Sequence, residues 1–84
     1  MTRALRRLYR PEPVAVRTRP GGEPASVAGV AVESVRERWL VEDRWWLPRA
    51  LLHREYFELV LADGRALVVF SDLRDGGRWF RQRA

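Results

Sequence analysis

From Val14 onward, apolar positions recur at every second residue in short runs broken by Gly- and Pro-rich stretches, and that period predicts β-strands. Val14 and Val16 alternate with Ala15 and Arg17, and Arg19-Pro20-Gly21-Gly22-Glu23-Pro24 reads as a turn. Residues 25–32 are small and β-branched, with Gly29 marking a turn or bulge. Over residues 34–41, Val35, Trp39 and Val41 fall on one face and Arg36, Arg38 and Leu40 on the other, so Trp39 is expected in the core. Asp72 to Gly77 supplies another turn. In the last strand, Trp79, Arg81 and Arg83 lie on one side and Phe80 on the other.

The sharpest local signal is a hairpin at Asp63-Gly64, the preferred pair for a two-residue type I′ turn. That turn sets Leu61 opposite Ala66, Leu59 opposite Val68 and Phe57 opposite Phe70. Opposed residues share a face, so Phe57, Leu59, Leu61, Ala66, Val68 and Phe70 are expected to form the core face. The reverse face, Tyr56, Glu58, Val60, Leu67, Val69 and Ser71, is half apolar and needs cover, which a strongly curved sheet provides.

Before Pro11 the period changes. Leu5, Leu8 and Tyr9 stand at helical spacing, giving a short helix or a frayed arm that Pro11 and Pro13 end. The expectation is a basic arm over residues 1–11 and one all-β domain over 12–84. That domain has five or six antiparallel strands in a curved sheet or an SH3-like, partly open barrel.

Charge sharpens this division. All sixteen basic residues are Arg, and Lys, Ile and Asn are absent, as in proteins from GC-rich genomes. The net charge of +5 sits wholly in residues 1–19, because the ten Arg of the remainder are balanced by ten acids. A basic arm on a neutral body is suited to anchoring on phosphate or another acidic surface. The start is basic without an apolar centre, and no run of about 18 apolar residues follows, so neither a signal peptide nor a membrane span is expected, and the cytoplasm is the expected compartment.

Candidate chemistry is thin. With no Cys and the single His53, the chain has no donor set for a metal, and no cofactor is expected. Ser26, Ser34 and Ser71 lack a nucleophile's setting, and Glu55 and Glu58 fall on opposite faces of a strand. The protein is therefore expected not to be an enzyme.

What stands out is Trp. Four occur in 84 residues, in the steps Arg38-Trp39, Arg44-Trp45-Trp46 and Arg78-Trp79. Arg and Trp together serve stacking, cation–π contact and recognition. Adjacent strand residues face opposite ways, so one of Trp45 and Trp46 is expected in the core and the other at the surface. The candidate contact residues are Arg6, Arg7, Arg10, Arg38, Trp46, Arg78, Trp79 and Arg81, with the locally basic Arg78–Arg81 stretch foremost.

The segments Glu37-Arg38-Trp39, Asp43-Arg44-Trp45-Trp46, Arg54-Glu55-Tyr56-Phe57, Phe70-Ser71-Asp72-Leu73 and Gly77-Arg78-Trp79-Phe80 together resemble an uncharacterised bacterial family of small stand-alone domains. A similar pattern occurs in the C-terminal tail of ImuB-like proteins, inactive relatives of Y-family translesion DNA polymerases. The resemblance spans roughly residues 8–82. It implies a non-catalytic accessory module linked to DNA damage tolerance and brings no catalytic residue. The chain departs from the pattern in a short segment between Pro24 and Val35 and in ending without a final aromatic.

The functional expectation is a non-enzymatic interaction module. Its partner would be single-stranded or duplex nucleic acid, or a DNA repair or polymerase-related protein. The alternative is a protein–protein or self-assembly module without a nucleic-acid role.

Overall fold

The computed structural model describes residues 11–43, 52–74 and 76–82. These residues form seven antiparallel strands: β1 (Glu12–Pro13), β2 (Val16–Thr18), β3 (Pro24–Val27), β4 (Val30–Asp43), β5 (Leu52–Leu61), β6 (Ala66–Asp72) and β7 (Arg78–Gln82). They lie in one sheet, ordered β1-β7-β6-β5-β4-β3-β2, curled into a half-barrel. The all-β expectation holds, with more strands than the five or six foreseen. The stretch after Pro11 divides at Val14-Ala15 into β1, paired with β7, and β2, paired with β3. One short piece of chain therefore reaches both ends of the sheet. Backbone bonds continue through the link: the Val14 N–H donates to the Trp79 carbonyl, and the Ala28 N–H to the Ala15 carbonyl.

The turns explain the registers. Val27 and Val30 face each other across Ala28-Gly29, and both central residues have positive φ, 50° and 84°. This is a type I′ turn, found at Ala-Gly and not at Asp-Gly. Ala28 carries a Cβ in the left-handed region, which disfavours it. Ala28→Asn should therefore stabilise the domain by about 0.5–1 kcal/mol. Urea unfolding checks this: the midpoint should rise while the slope stays unchanged.

The β5–β6 hairpin uses a different turn from the one expected. The Gly64 N–H donates to the Leu61 carbonyl, and the Leu61 N–H donates to the Arg65 carbonyl. Gly64 has φ of 90°, while Asp63 is not among the residues with positive φ. The loop is thus three residues, a type I turn closed by a glycine bulge. The Asp63 carboxylate accepts from the Arg65 N–H at 3.1 Å and from Arg65 Nε at 2.9 Å. The Arg65 backbone bond holds its pKa below the usual carboxylate value, with the Arg65 side chain adding to the effect.

One extra loop residue shifts β6 by one position and reverses its faces. Phe57 pairs with Val69, Leu59 with Leu67 and Tyr56 with Phe70, which overturns the expected Phe57–Phe70 and Leu59–Val68 pairs. The inner face gathers the core: Val27, Val32, Phe57, Leu59, Leu61 and Val69, with Val14, Val16, Val30, Val35, Leu67 and Trp79 packed around it. Phe70 is also buried but lies on the other face, beside Tyr56.

Strand β4 holds two irregularities, between Val32 and Ser34 and between Val35 and Glu37. The second breaks the alternation assumed for residues 34–41. Val35 opposes Leu59 on the inner face, whereas Trp39 opposes Tyr56 on the outer face. The expectation of Trp39 in the core with Val35 is corrected accordingly. Among the described residues, no helix is long and apolar enough to cross a membrane.

Candidate functional site

The outer face carries a row of aromatic rings across four adjacent strands. The register aligns Trp39 on β4, Tyr56 on β5, Phe70 on β6 and Phe80 on β7, and continues to Pro13 on β1. Trp39 and Tyr56 stack with centroids 5.3 Å apart and planes within 9°. Tyr56 and Phe70 follow at 4.9 Å, tilted by 36°, and Phe70 and Phe80 stack at 5.3 Å and 21°. Phe70 is fully enclosed, while Trp39, Tyr56 and Phe80 remain half-buried. Cross-strand aromatic pairs of this kind stiffen a sheet and also present π faces.

The two sides of the row differ in charge. On one side the register places Val41, Arg54, Asp72 and Arg78; on the other it places Glu37, Glu58, Val68 and Gln82. Arg54 and Arg78 reach back over the rings, the Arg54 guanidinium 4.5 Å from the Phe70 centroid and that of Arg78 5.4 Å from Phe80. One Arg54 terminal nitrogen donates to the Tyr56 hydroxyl at 3.4 Å. Arg54 Nε is buried and has no hydrogen-bond partner. A buried donor left unpaired costs roughly 1–3 kcal/mol. The row thus has one margin where Arg54 and Arg78 flank Asp72, an opposite margin holding Glu37 and Glu58, and one donor whose bond is unmade.

The residues singled out from the sequence do not assemble into one surface. Arg38 lies on the inner face, its guanidinium 5.3 Å from the Phe57 centroid. Its Nε donates to Glu55 at 2.6 Å, and it stands 4.0 Å from Glu23. It clips the 19–23 turn to the sheet. Trp79 packs on the core, its ring 5.6 Å from Phe57. Arg81 opposes Val69 on the same face and lies 4.0 Å from Glu12. Arg78 alone of these four borders the aromatic row. Arg6, Arg7, Arg10 and Trp46, and the expected N-terminal helix or arm, lie outside the described residues.

Sequence reasoning missed Arg54, Tyr56, Phe70 and Phe80 as a unit. A signal was present in the Arg-x-aromatic spacing of Arg54-Glu55-Tyr56 and Arg78-Trp79-Phe80. Two residues apart on a strand means one face. Attention to adjacent Arg-Trp pairs concealed it, because adjacent residues point to opposite faces.

The inner face also brings His53 Nε2 within 3.3 Å of Glu42, its cross-strand partner. Among the described residues, no three His, Cys, Asp or Glu side chains group as a metal site requires. No family model matches the chain, and neither does any curated protein sequence or solved structure.

Proposed function

We propose that the protein is a non-enzymatic module that binds single-stranded nucleic acid on the outer face of its sheet. The observation that carries this reading is the aromatic row with two Arg, flanking Asp72, along one side and two Glu along the other. Every base has a π face, so half-exposed rings on a sheet accept bases with little regard to sequence. The spacing of Arg54 and Arg78 along one side suits a backbone tracking that margin, while Glu37 and Glu58 repel phosphate from the other. The Arg54 guanidinium supplies a charge-assisted donor for a phosphate oxygen at this margin. The basic arm, with Arg6, Arg7 and Arg10, adds sequence-independent attraction. Trp79, Arg38 and Arg81 hold the fold in this reading.

The finer description of the fold is a partly open, SH3-like barrel with the seam at residues 12–18. The resemblance of the sequence to the tail of ImuB-like proteins supports extending this proposal to a role in DNA repair or translesion synthesis.

The test is fluorescence anisotropy with a labelled single-stranded oligonucleotide, repeated over a range of salt. Affinity is expected to fall steeply as salt rises, with quenching of Trp emission on binding. Absence of binding at low salt, or a flat salt profile, refutes the proposal.

Arg54 separates binding from stability. Arg54→Met keeps the packing over Phe70 and removes the orphaned donor, so thermal stability should hold or rise. Oligonucleotide affinity should fall in the same variant. A loss of stability with unchanged affinity would assign Arg54 to the fold alone.

A further inference from the structure

Strand β4 has one edge that no described strand occupies along most of its length. β5 pairs with it from Val32 to Asp43, whereas β3 pairs with only Val30 and Ala31. Open edges are ordinarily blunted by bulges, shortness or cover, since their free N–H and C=O groups template a further strand. In β4 the two bulges lie before Glu37, and from Glu37 to Asp43 the strand runs regularly against β5. Leu40, in the middle of that regular stretch, is 54% exposed, one of two exposed large hydrophobics among the described residues.

We propose that the edge of β4 from Arg38 to Glu42, which no described strand occupies, pairs antiparallel with the same edge of a second copy of the chain, about a two-fold axis through Leu40. Charge and the regularity of the strand together select the register. With Leu40 opposite Leu40 of the second copy, Arg38 stands opposite Glu42 of the second copy on both sides of the axis. Trp39 then stands opposite Val41 of the second copy. Arg38, Leu40 and Glu42 share the inner face, and Trp39 and Val41 share the outer one.

The neighbouring registers are worse. Moving the axis between Trp39 and Leu40 opposes outer-face with inner-face residues, which a regular antiparallel ladder does not allow. Centring it on Trp39 also sets an Arg, Arg36, against Glu42, but Arg36 lies at the irregularity that interrupts the strand, and Arg38 is left facing Leu40. In the favoured register the next pair outward is Glu37 against Asp43, two carboxylates, which ends the ladder. Each Glu42 already lies 3.3 Å from His53, and a carboxylate has acceptor sites for both partners. The pairing brings the two Trp39 rings to either side of the axis, so the aromatic rows of both copies continue across one sheet. The interface stands whatever the outer face binds.

Sedimentation equilibrium of the full chain over a range of concentration tests it. A species at twice the 9.8 kDa chain mass is expected to grow with concentration. Leu40→Lys sets two ammonium groups against each other and should leave a 9.8 kDa monomer with an unchanged circular-dichroism spectrum. The chain has no Cys, so Leu40→Cys gives a clean second readout. Directly opposed strand residues place their Cβ atoms about 4.5–5.5 Å apart, and mild oxidation should link this variant into a dimer. Ser34→Cys, beyond the ladder, should stay unlinked. A wild-type chain that is monomeric at every concentration overturns the proposal. So does a dimer that survives Leu40→Lys, or equal linking at positions 34 and 40.

Discussion

Phe57→Ala should destabilise the domain by about 3–5 kcal/mol, the largest loss expected of any single core substitution. The Phe57 side chain has no solvent exposure and sits where β5 crosses the middle of the inner face. Val69 opposes it on one side, the Trp79 ring lies 5.6 Å away, and the Arg38 guanidinium covers it at 5.3 Å. Removing a buried Phe costs about 3–5 kcal/mol, because the lost transfer energy is joined by a cavity the surroundings fill only in part. A domain of this size has about 4–13 kcal/mol in total. The loss is therefore a large share of the whole. It also strips Arg38 of its cation–π partner and Trp79 of its packing. Far-UV circular dichroism and urea titration report it directly. A midpoint shift worth less than about 1 kcal/mol would mean that the core is centred elsewhere.

Trp39→Ala should act on the other face and in the other currency, reducing affinity for a single-stranded oligonucleotide while the fold survives. Among the described residues Trp39 is the last ring on its side of the outer row and stacks on Tyr56 alone, whereas Tyr56 and Phe70 each have ring neighbours on both sides. It is half-buried and belongs to no part of the core cluster. Losing a stacking aromatic costs about 1–3 kcal/mol per base, which is roughly 5- to 150-fold in the dissociation constant. Trp39→Phe keeps a π face and should recover most of the affinity. Unchanged binding by Trp39→Ala, with folding verified, would remove the outer row from the proposed interface.

Adjacent residues thus divide the labour of the sheet, and the sequence exposed that division unevenly. Strand locations were legible, because period-2 runs and Gly/Pro breaks are local. So was the placement of Trp79 and Arg81 opposite to Phe80, since β7 is regular and short. The position of the β5–β6 turn was legible too, but not its length. Ala66-Leu67-Val68-Val69-Phe70 is a continuous apolar run, so sliding it by one residue yields a face as apolar as before. No hydrophobic pattern could choose between them. The bulges of β4 left no mark either, for the strand holds neither Gly nor Pro. Trp39 was misassigned for that reason alone.

The candidate site was less legible than the fold. A row running across strands draws one residue from each of β4, β5, β6 and β7, and it exists only once every register is known. Each wrong register moves one ring to the opposite side. Residue type pointed correctly to Arg and aromatics. Adjacency along the chain pointed to the wrong members.

The short piece from Glu12 to Thr18 has a bearing on how the protein comes into being. Strands β2 to β7 follow one another as neighbours in the sheet, so each can zip onto the one before it as synthesis proceeds. The pairing of Glu12 with Arg81 joins segments from nearly opposite ends of the sequence. That contact closes a long loop and must come late. A ribosome-bound chain lacking β7 holds β2 in place with β1 still unpaired and the Trp79 side of the core missing. Closing the β1–β7 seam is then the step that completes the core, and the interval before it is when chaperones would find apolar surface to bind.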